Sequence, residues 1–217
     1  IVTYLCSSEF VAGREVEFVE SWMEALRRDP RLAACNVIIR PHPRSVRQWG
    51  EVDVARYGRV GISMSRVLNA DQSLYDALYH SAAVVGLNTS AQIEAAILGK
   101  PVLTLLAPGF EQGQQGTLHF HYLLREHGGF VEMAKDLDEH REHLARALAG
   151  QHDIGELRRS VERFIRPAGW DRPATPILAD AIAGMVGERS SGVKRWFVSG
   201  AKAVARRTAS RSDHDSR

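Results

Sequence analysis

Residues 83–106, AVVGLNTSAQIEAAILGKPVLTLL, leave this chain few folds to choose from. An apolar run is followed by a polar turn, a helical stretch, a glycine stop and a second apolar run. Residues 83–87 form a short strand, and Asn88, Thr89 and Ser90 form the turn. Thr89 and Gln92 stand at capping-box spacing. Gly99 ends the helix, Lys100 suits its negative end, and Pro101 opens the next strand. Strand, helix and strand joined in this way make a parallel crossover. The polar turn then lies at the carboxyl edge of the sheet, where open α/β sheets take their ligands. Its main-chain N–H groups and two hydroxyls suit a phosphate.

Glu94 adds to the unit. At about 100° per residue it falls between Ile97 and Leu98 on the apolar arc, with Gln92 on the polar side. A carboxylate set into that arc needs partners. A ribose diol supplies two hydroxyl donors, and a neighbouring Arg is the alternative.

Strands and helices alternate along the rest of the chain. IVTYLC, NVIIR, residues 61–64, AVVGL, PVLTLL and FVEMA read as strands. Residues 15–28, 71–79, 119–125, 136–149, 155–164 and 175–186 read as helices, the first with Val16, Val19, Met23 and Leu26 inward. This order predicts an α/β, Rossmann-like parallel sheet with helices on both faces. The domain expected is 1–187, followed over 188–217 by a linker and a basic tail.

Several predicted strands end in polar residues on one edge. Ser7 and Ser8 follow the first, Arg40 and His42 the second, Asn88, Thr89 and Ser90 the fourth, and a long glycine-containing loop the fifth. In Arg40-Pro41-His42-Pro43, two prolines fix the backbone around one imidazole. Arg40 offers a planar fork to phosphate oxygens, and His42 can donate a hydrogen bond to a leaving phosphate. The other reading is a rigid turn with an exposed Arg and His.

Charge does not indicate a basic groove for nucleic acid in the body of the chain. The net charge is +2, but from Lys194 onward there are seven Lys or Arg and two Asp, which leaves 21 basic and 24 acidic residues before it. Cys6 and Cys35 suggest neither a disulfide framework nor a zinc motif, and a reducing cytoplasm is the natural compartment. Val193, Trp196, Phe197, Ala201 and Val204 recur at helical spacing among Lys and Arg. That pattern fits a basic amphipathic helix on the inner face of the plasma membrane, or a disordered basic end.

Taken together, these residues resemble the carboxyl-terminal, nucleotide-binding half of GT-B glycosyltransferases of the bacterial branch that builds surface and capsular polysaccharides. His42-Pro43 is similar to the HP motif of bacterial sialyltransferases and Kdo transferases, which engages the phosphate of a CMP-sugar. Thr89-Ser90 resembles their second phosphate-binding element. Glu94, with Ala95 and Gly99-Lys100-Pro101, resembles the ribose-binding glutamate of many GT-B proteins, a unit shared with the UDP-N-acetylglucosamine 2-epimerases. The resemblance covers residues 1–186. It implies catalytic roles for His42 and Arg40, and nucleotide or phosphate contacts from Ser7, Ser8, Asn88, Thr89, Ser90 and Glu94.

The resemblance also implies a CMP-, CDP- or UDP-linked sugar as donor substrate, a glycan or lipid-linked acceptor, and no cofactor or site metal. The chain opens directly on a strand at Ile1, so an upstream domain carrying the acceptor site is expected. The chain departs from the family at Gly86, where retaining members carry the first of two paired acids. It departs again at Asn88, where teichoic-acid polymerases carry aspartate. Gln112, Gln114 and Gln115 lie in a glycine-containing loop that either meets sugar hydroxyls or is a plain mobile loop, and Gln115 and His119 are the expected sugar contacts. His119 and His121 would pair on a metal only if their segment were a strand. His140 and His143 lie among Glu139 and Glu142, the pattern of a solvated face. The competing functions are a 2-epimerase-like isomerase and a non-enzymatic scaffold module.

Overall fold

The computed structural model describes residues 1–64 and 70–187. Strands β1 (Val2–Leu5), β2 (Val37–Arg40), β3 (Val60–Ile62), β4 (Ala83–Val85), β5 (Val102–Leu105) and β6 (Val131–Ala134) form one sheet in the order β3-β2-β1-β4-β5-β6. Every pairing is parallel. This is the expected Rossmann-like sheet, and its order reverses between β1 and β4. Helices α1 (Glu15–Arg28), α2 (Ala70–Tyr79), α3 (Ala91–Ile97), α4 (Leu118–Leu123), α5 (Leu137–Leu148) and α6 (Ile154–Phe164) connect or follow the strands.

Alternation along β1 separates the two faces. Tyr4 packs on Trp22 of α1, with ring centroids 5.1 Å apart. Thr3 points the other way, its hydroxyl 2.6 Å from that of Ser81, just past the end of α2. Helix α1 buries Glu15, Val19, Trp22, Met23 and Leu26, a stripe with helical period. Val16, expected inward, sits half-buried at its rim.

Helix α5 corrects one expectation. His140 is wholly buried rather than solvated. It shares an inner stripe with Leu144 and Ala147, at i, i+4 and i+7, which the charged residues between them disguise in the sequence. Trp22 Nε1–H donates to His140 Nε2 at 3.0 Å and ties α1 to α5. Burial holds this imidazole neutral, with its pKa pushed down to about 3. His143 stays at the rim, beside the carboxylates of Glu132 and Glu139.

The chain divides after Pro167 into two compact units. In the second, α7 (Ala174–Gly187) exposes Leu178, Ile182 and Met185. No described helix is long and apolar enough to cross a membrane. The amphipathic stripe expected over residues 193–204 lies outside the described residues.

Candidate functional site

Loops from the carboxyl ends of β1, β2, β4 and β5 are braced together through Ser7 and Asn88. Ser7 is fully buried and all of its polar groups are engaged. Its N–H donates to Glu15 Oε2 at 2.7 Å, and its hydroxyl lies 3.4 Å from Glu15 Oε1. Its carbonyl accepts from the Ser45 hydroxyl at 3.5 Å, and its Oγ accepts the Asn88 N–H at 3.3 Å. Ser7 therefore holds loops together; the direct phosphate contact expected of it has no free group to use. Ser8 is half-buried, and its carbonyl accepts from Val11 and Ala12 as the loop turns toward α1.

Glu15 is the residue that sequence reasoning missed. It is 2 % exposed and takes a third donor, the Tyr4 hydroxyl, at 3.0 Å. Burial pushes its pKa up to about 7 against the pull of its three donors. Its spacing held the signal: Glu15 opens the same stripe as Val19, Trp22 and Leu26. The carboxylate sits at the first turn of α1, where a dinucleotide-binding fold would receive a pyrophosphate. The chain fills that position itself.

The turn between β4 and α3 is closed from inside. Gln92, expected on the polar side, is fully buried. Its Nε2 donates to Gly86 O at 3.0 Å, and its Oε1 accepts the Thr89 N–H at 3.2 Å, half of the expected capping box. Gly86 is required here, because a Cβ would stand 2.7 Å from Leu5 O. Glu94, expected within the apolar arc, is exposed. Short α3 meets the sheet through Gln92, Ala95 and Ala96, so the small side chains set its inner face and Ile97 and Leu98 fall to its rim. Glu94 nevertheless senses the neighbouring cleft: partial burial and Asp71 raise its pKa, and Arg40 opposes them. Ser90, at the N-terminus of α3, is exposed and Thr89 half-buried.

The cleft itself opens between the ends of β1 and β2 and the helices α2 and α3. Leu5, Cys6, Pro41, Pro43, Leu74 and Ala91 supply its apolar lining, and Arg40, His42, Asp71 and Thr89 its polar groups. Its volume is about 130 Å³, smaller than the roughly 300–1,000 Å³ of drug-sized ligand sites and enough for a phosphate-sized group. Arg40 is only 6 % exposed, and its Nη1 donates to Ser73 Oγ at 2.9 Å and Ser63 Oγ at 3.3 Å. Burial lowers its pKa and Glu94 opposes that shift. His42 Nδ1 accepts the Arg44 N–H at 3.2 Å, which places the proton of the neutral ring on Nε2. Burial, with Arg44 adding to it, lowers the His42 pKa and favours that neutral form.

The β5–α4 loop packs against the β1–α1 loop at Gly113, where a Cβ would stand 2.2 Å from Val11 O. Gln114 is wholly buried rather than available to a sugar. Its Nε2 donates to Leu105 O at 2.9 Å and its Oε1 accepts the Ala107 N–H at 3.2 Å, stapling its own loop. Gln115 and His119 are exposed. Helix α4 sends His119 to Asn88 Oδ1, 3.0 Å away, while His121 stacks on His127. No cluster of three or more His, Cys, Asp or Glu among the described residues is placed to hold a metal.

No family model matches the sequence, and no curated protein matches it. Among solved structures, the crystal structure of TarM aligns with 75 % of this chain at 12 % identity and a TM-score of 0.47. The aligned chain spans about a third of TarM, 32 % of its length.

Proposed function

We propose that this chain is the nucleotide-binding domain of a glycosyltransferase that uses a nucleotide-activated sugar, in the synthesis of a bacterial envelope polysaccharide. The observation that supports it is the joint lining of one carboxyl-edge cleft by Arg40, His42 and Thr89. A buried guanidinium favours an anion beside it. His42, neutral with its proton on Nε2, donates to the same anion. Both groups stabilise the negative charge that grows on the phosphate as the sugar–phosphate C–O bond breaks. Thr89 and Ser90 supply hydroxyls to the remaining phosphate oxygens, and Glu94 accepts from the ribose. Ser7 and Asn88 keep the loops in register. With α3 only seven residues long, the helix dipole adds little, so the side chains hold the phosphate. The acceptor is a glycan or lipid-linked saccharide.

Calorimetry with CMP, CDP and UDP tests the reading. One of these should bind, and His42→Ala should weaken it about tenfold, the loss of one hydrogen bond to a charged group. Absence of binding by all three, or unchanged affinity in a folded His42→Ala variant, would overturn it. Product analysis with UDP-N-acetylglucosamine separates sugar transfer from isomerisation, since only the isomerase changes the configuration at C2.

A further inference from the structure

His119 and His42 are both fixed by the chain, with opposite polarity toward the outside. In His42 the lone pair at Nδ1 is used by the Arg44 N–H, so an N–H faces outward. In His119 the bonding runs the other way, and the neighbours of Asn88 decide it.

Asn88 Nδ2 lies 2.6 Å from Gly113 O, a group that only accepts. Its second partner, Thr117 Oγ1 at 3.2 Å, spends its own hydrogen on Gln114 O at 2.9 Å and so accepts as well. The amide of Asn88 therefore has one orientation, with Nδ2 toward the loop and Oδ1 toward His119. An amide oxygen accepts only, so His119 Nε2, 3.0 Å away, must carry the proton. In the neutral ring Nδ1 then keeps its lone pair. It has no partner among the described residues and is not among the buried unpaired atoms, and the residue is exposed. The support continues inward: Asn88 N–H donates to Ser7 Oγ, and Ser7 Oγ–H is directed at Glu15. Each donor in this sequence of bonds points toward the buried carboxylate.

We infer that His119 is a hydroxyl-recognising residue of the donor site, locked as its Nε2–H tautomer so that Nδ1 meets the ligand as a hydrogen-bond acceptor, with Asn88 as its positioning residue. This rests on the nucleotide-sugar reading above. A neutral imidazole lone pair repels phosphate oxygens, which are acceptors, and selects donors such as sugar hydroxyls or an acetamido N–H. His42 thus presents a donor suited to the phosphate, and His119 an acceptor suited to the sugar. Thr117 and Gly113 hold Asn88 in the orientation that makes the difference.

Two measurements on the full chain test the inference. Long-range proton–nitrogen NMR of the 15N-labelled protein at pH 8 should show one His119 tautomer, with the proton on Nε2 and an unprotonated Nδ1. The signal is assigned by its loss in His119→Gln, and Asn88→Ala should release it to a mixture. His119→Gln also keeps a side-chain N–H near the Nε2 position while deleting Nδ1, so folding and the bond to Asn88 survive. Its affinity for UDP and CMP should stay within twofold of the wild type. Its affinity for whichever of UDP-N-acetylglucosamine and CMP-N-acetylneuraminate the wild type binds should fall about tenfold, the worth of one hydrogen bond. A proton on Nδ1, a mixed tautomer in the wild type, or equal losses for nucleotide and nucleotide-sugar would overturn the assignment. A wild-type chain that binds none of the four probes and no CDP overturns the nucleotide-sugar reading itself. An unlocked imidazole in a chain that does bind them overturns only the role of His119.

Discussion

The main-chain N–H of Ser7 donates to Glu15 Oε2 across 2.7 Å, and that bond closes the first β–α turn on itself. The Glu15 carboxyl group sits in the first turn of α1 and takes the Ser7 N–H, so that donor is not open to a ligand. The open cleft lies instead beside β2, where Arg40 and His42 line the wall. Tyr4, Ser7 and Glu15 form one unit beneath the site, and Asn88 and Ser45 carry its geometry to the neighbouring loops.

Glu15 should make stability depend on pH in a direction unusual for a carboxylate. Its folded pKa of about 7 lies above the ordinary 4.5, so the folded state binds the extra proton between those values. Its contribution to stability should be greatest at and below the lower value and decline as pH rises toward the upper one, by about 3 kcal/mol in all. Urea denaturation of the wild type and of Glu15→Gln at pH 5 and pH 8 measures it. The difference between the two proteins should move in favour of the variant at pH 8, and a difference independent of pH refutes the account.

His140 should act with the opposite sign. Its folded pKa of about 3 lies below the ordinary 6.5, so the unfolded chain takes up the proton first as pH falls. Its contribution is intact above 6.5 and is about 2 kcal/mol smaller by pH 5. His140→Gln preserves an acceptor for Trp22 without titrating. Its denaturation midpoint should therefore fall less than that of the wild type between pH 7 and pH 5. Parallel decline of the two midpoints would show that His140 is not the titrating group.

Gly113→Ala should disturb the site from a distance. The new Cβ meets a backbone oxygen at 2.2 Å, so the β1–α1 and β5–α4 loops must separate. A loss of 1–3 kcal/mol or more in thermal or chemical denaturation is expected. Asn88 loses its 2.6 Å bond to Gly113 O in the process, and the single His119 tautomer should become a mixture. A variant as stable as the wild type would mean that the loops do not touch as described.

Glu94→Ala should affect sugar-ring recognition and leave stability alone. The side chain is exposed, so its removal should change stability by under about 0.5 kcal/mol. If Glu94 holds the ribose, the wild type should prefer UDP over its 2′,3′-dideoxy analogue and the variant should not. Calorimetry with both ligands on both proteins gives the coupling directly. An unchanged preference in the variant removes Glu94 from the site.

The alternation of short apolar runs with helical stretches was enough to give the sheet, its parallel sense and the positions of its loops, because the central strands β1, β4 and β5 are buried on both faces and the helices packed on the sheet on one. The Gly99 stop and the strand that follows Pro101 were legible for the same reason. Inward-facing residues were legible only where the stripe was apolar throughout. In α1 it was, apart from Glu15. In α5, charged neighbours hid His140. In α3 the wheel put Glu94 inward and Gln92 outward, and packing reversed them, because Ala95 and Ala96 let the helix approach the sheet on a different side.

What the sequence determined by itself was therefore periodic and local: the fold class, the carboxyl edge of the sheet on which the long loops gather, and the grouping of Arg40, His42, Asn88 and Thr89 at that edge. Tertiary structure alone decided which polar groups are free. Ser7 is engaged by the Glu15 carboxylate, the Ser45 hydroxyl and the Asn88 N–H, and Gln92 and Gln114 by main-chain groups across a turn, and no pattern along the chain records those bonds. The tautomers of His42 and His119 were set in the same way. A hydrogen bond depends on the direction of two groups in space, whereas periodicity specifies only the face on which each residue stands.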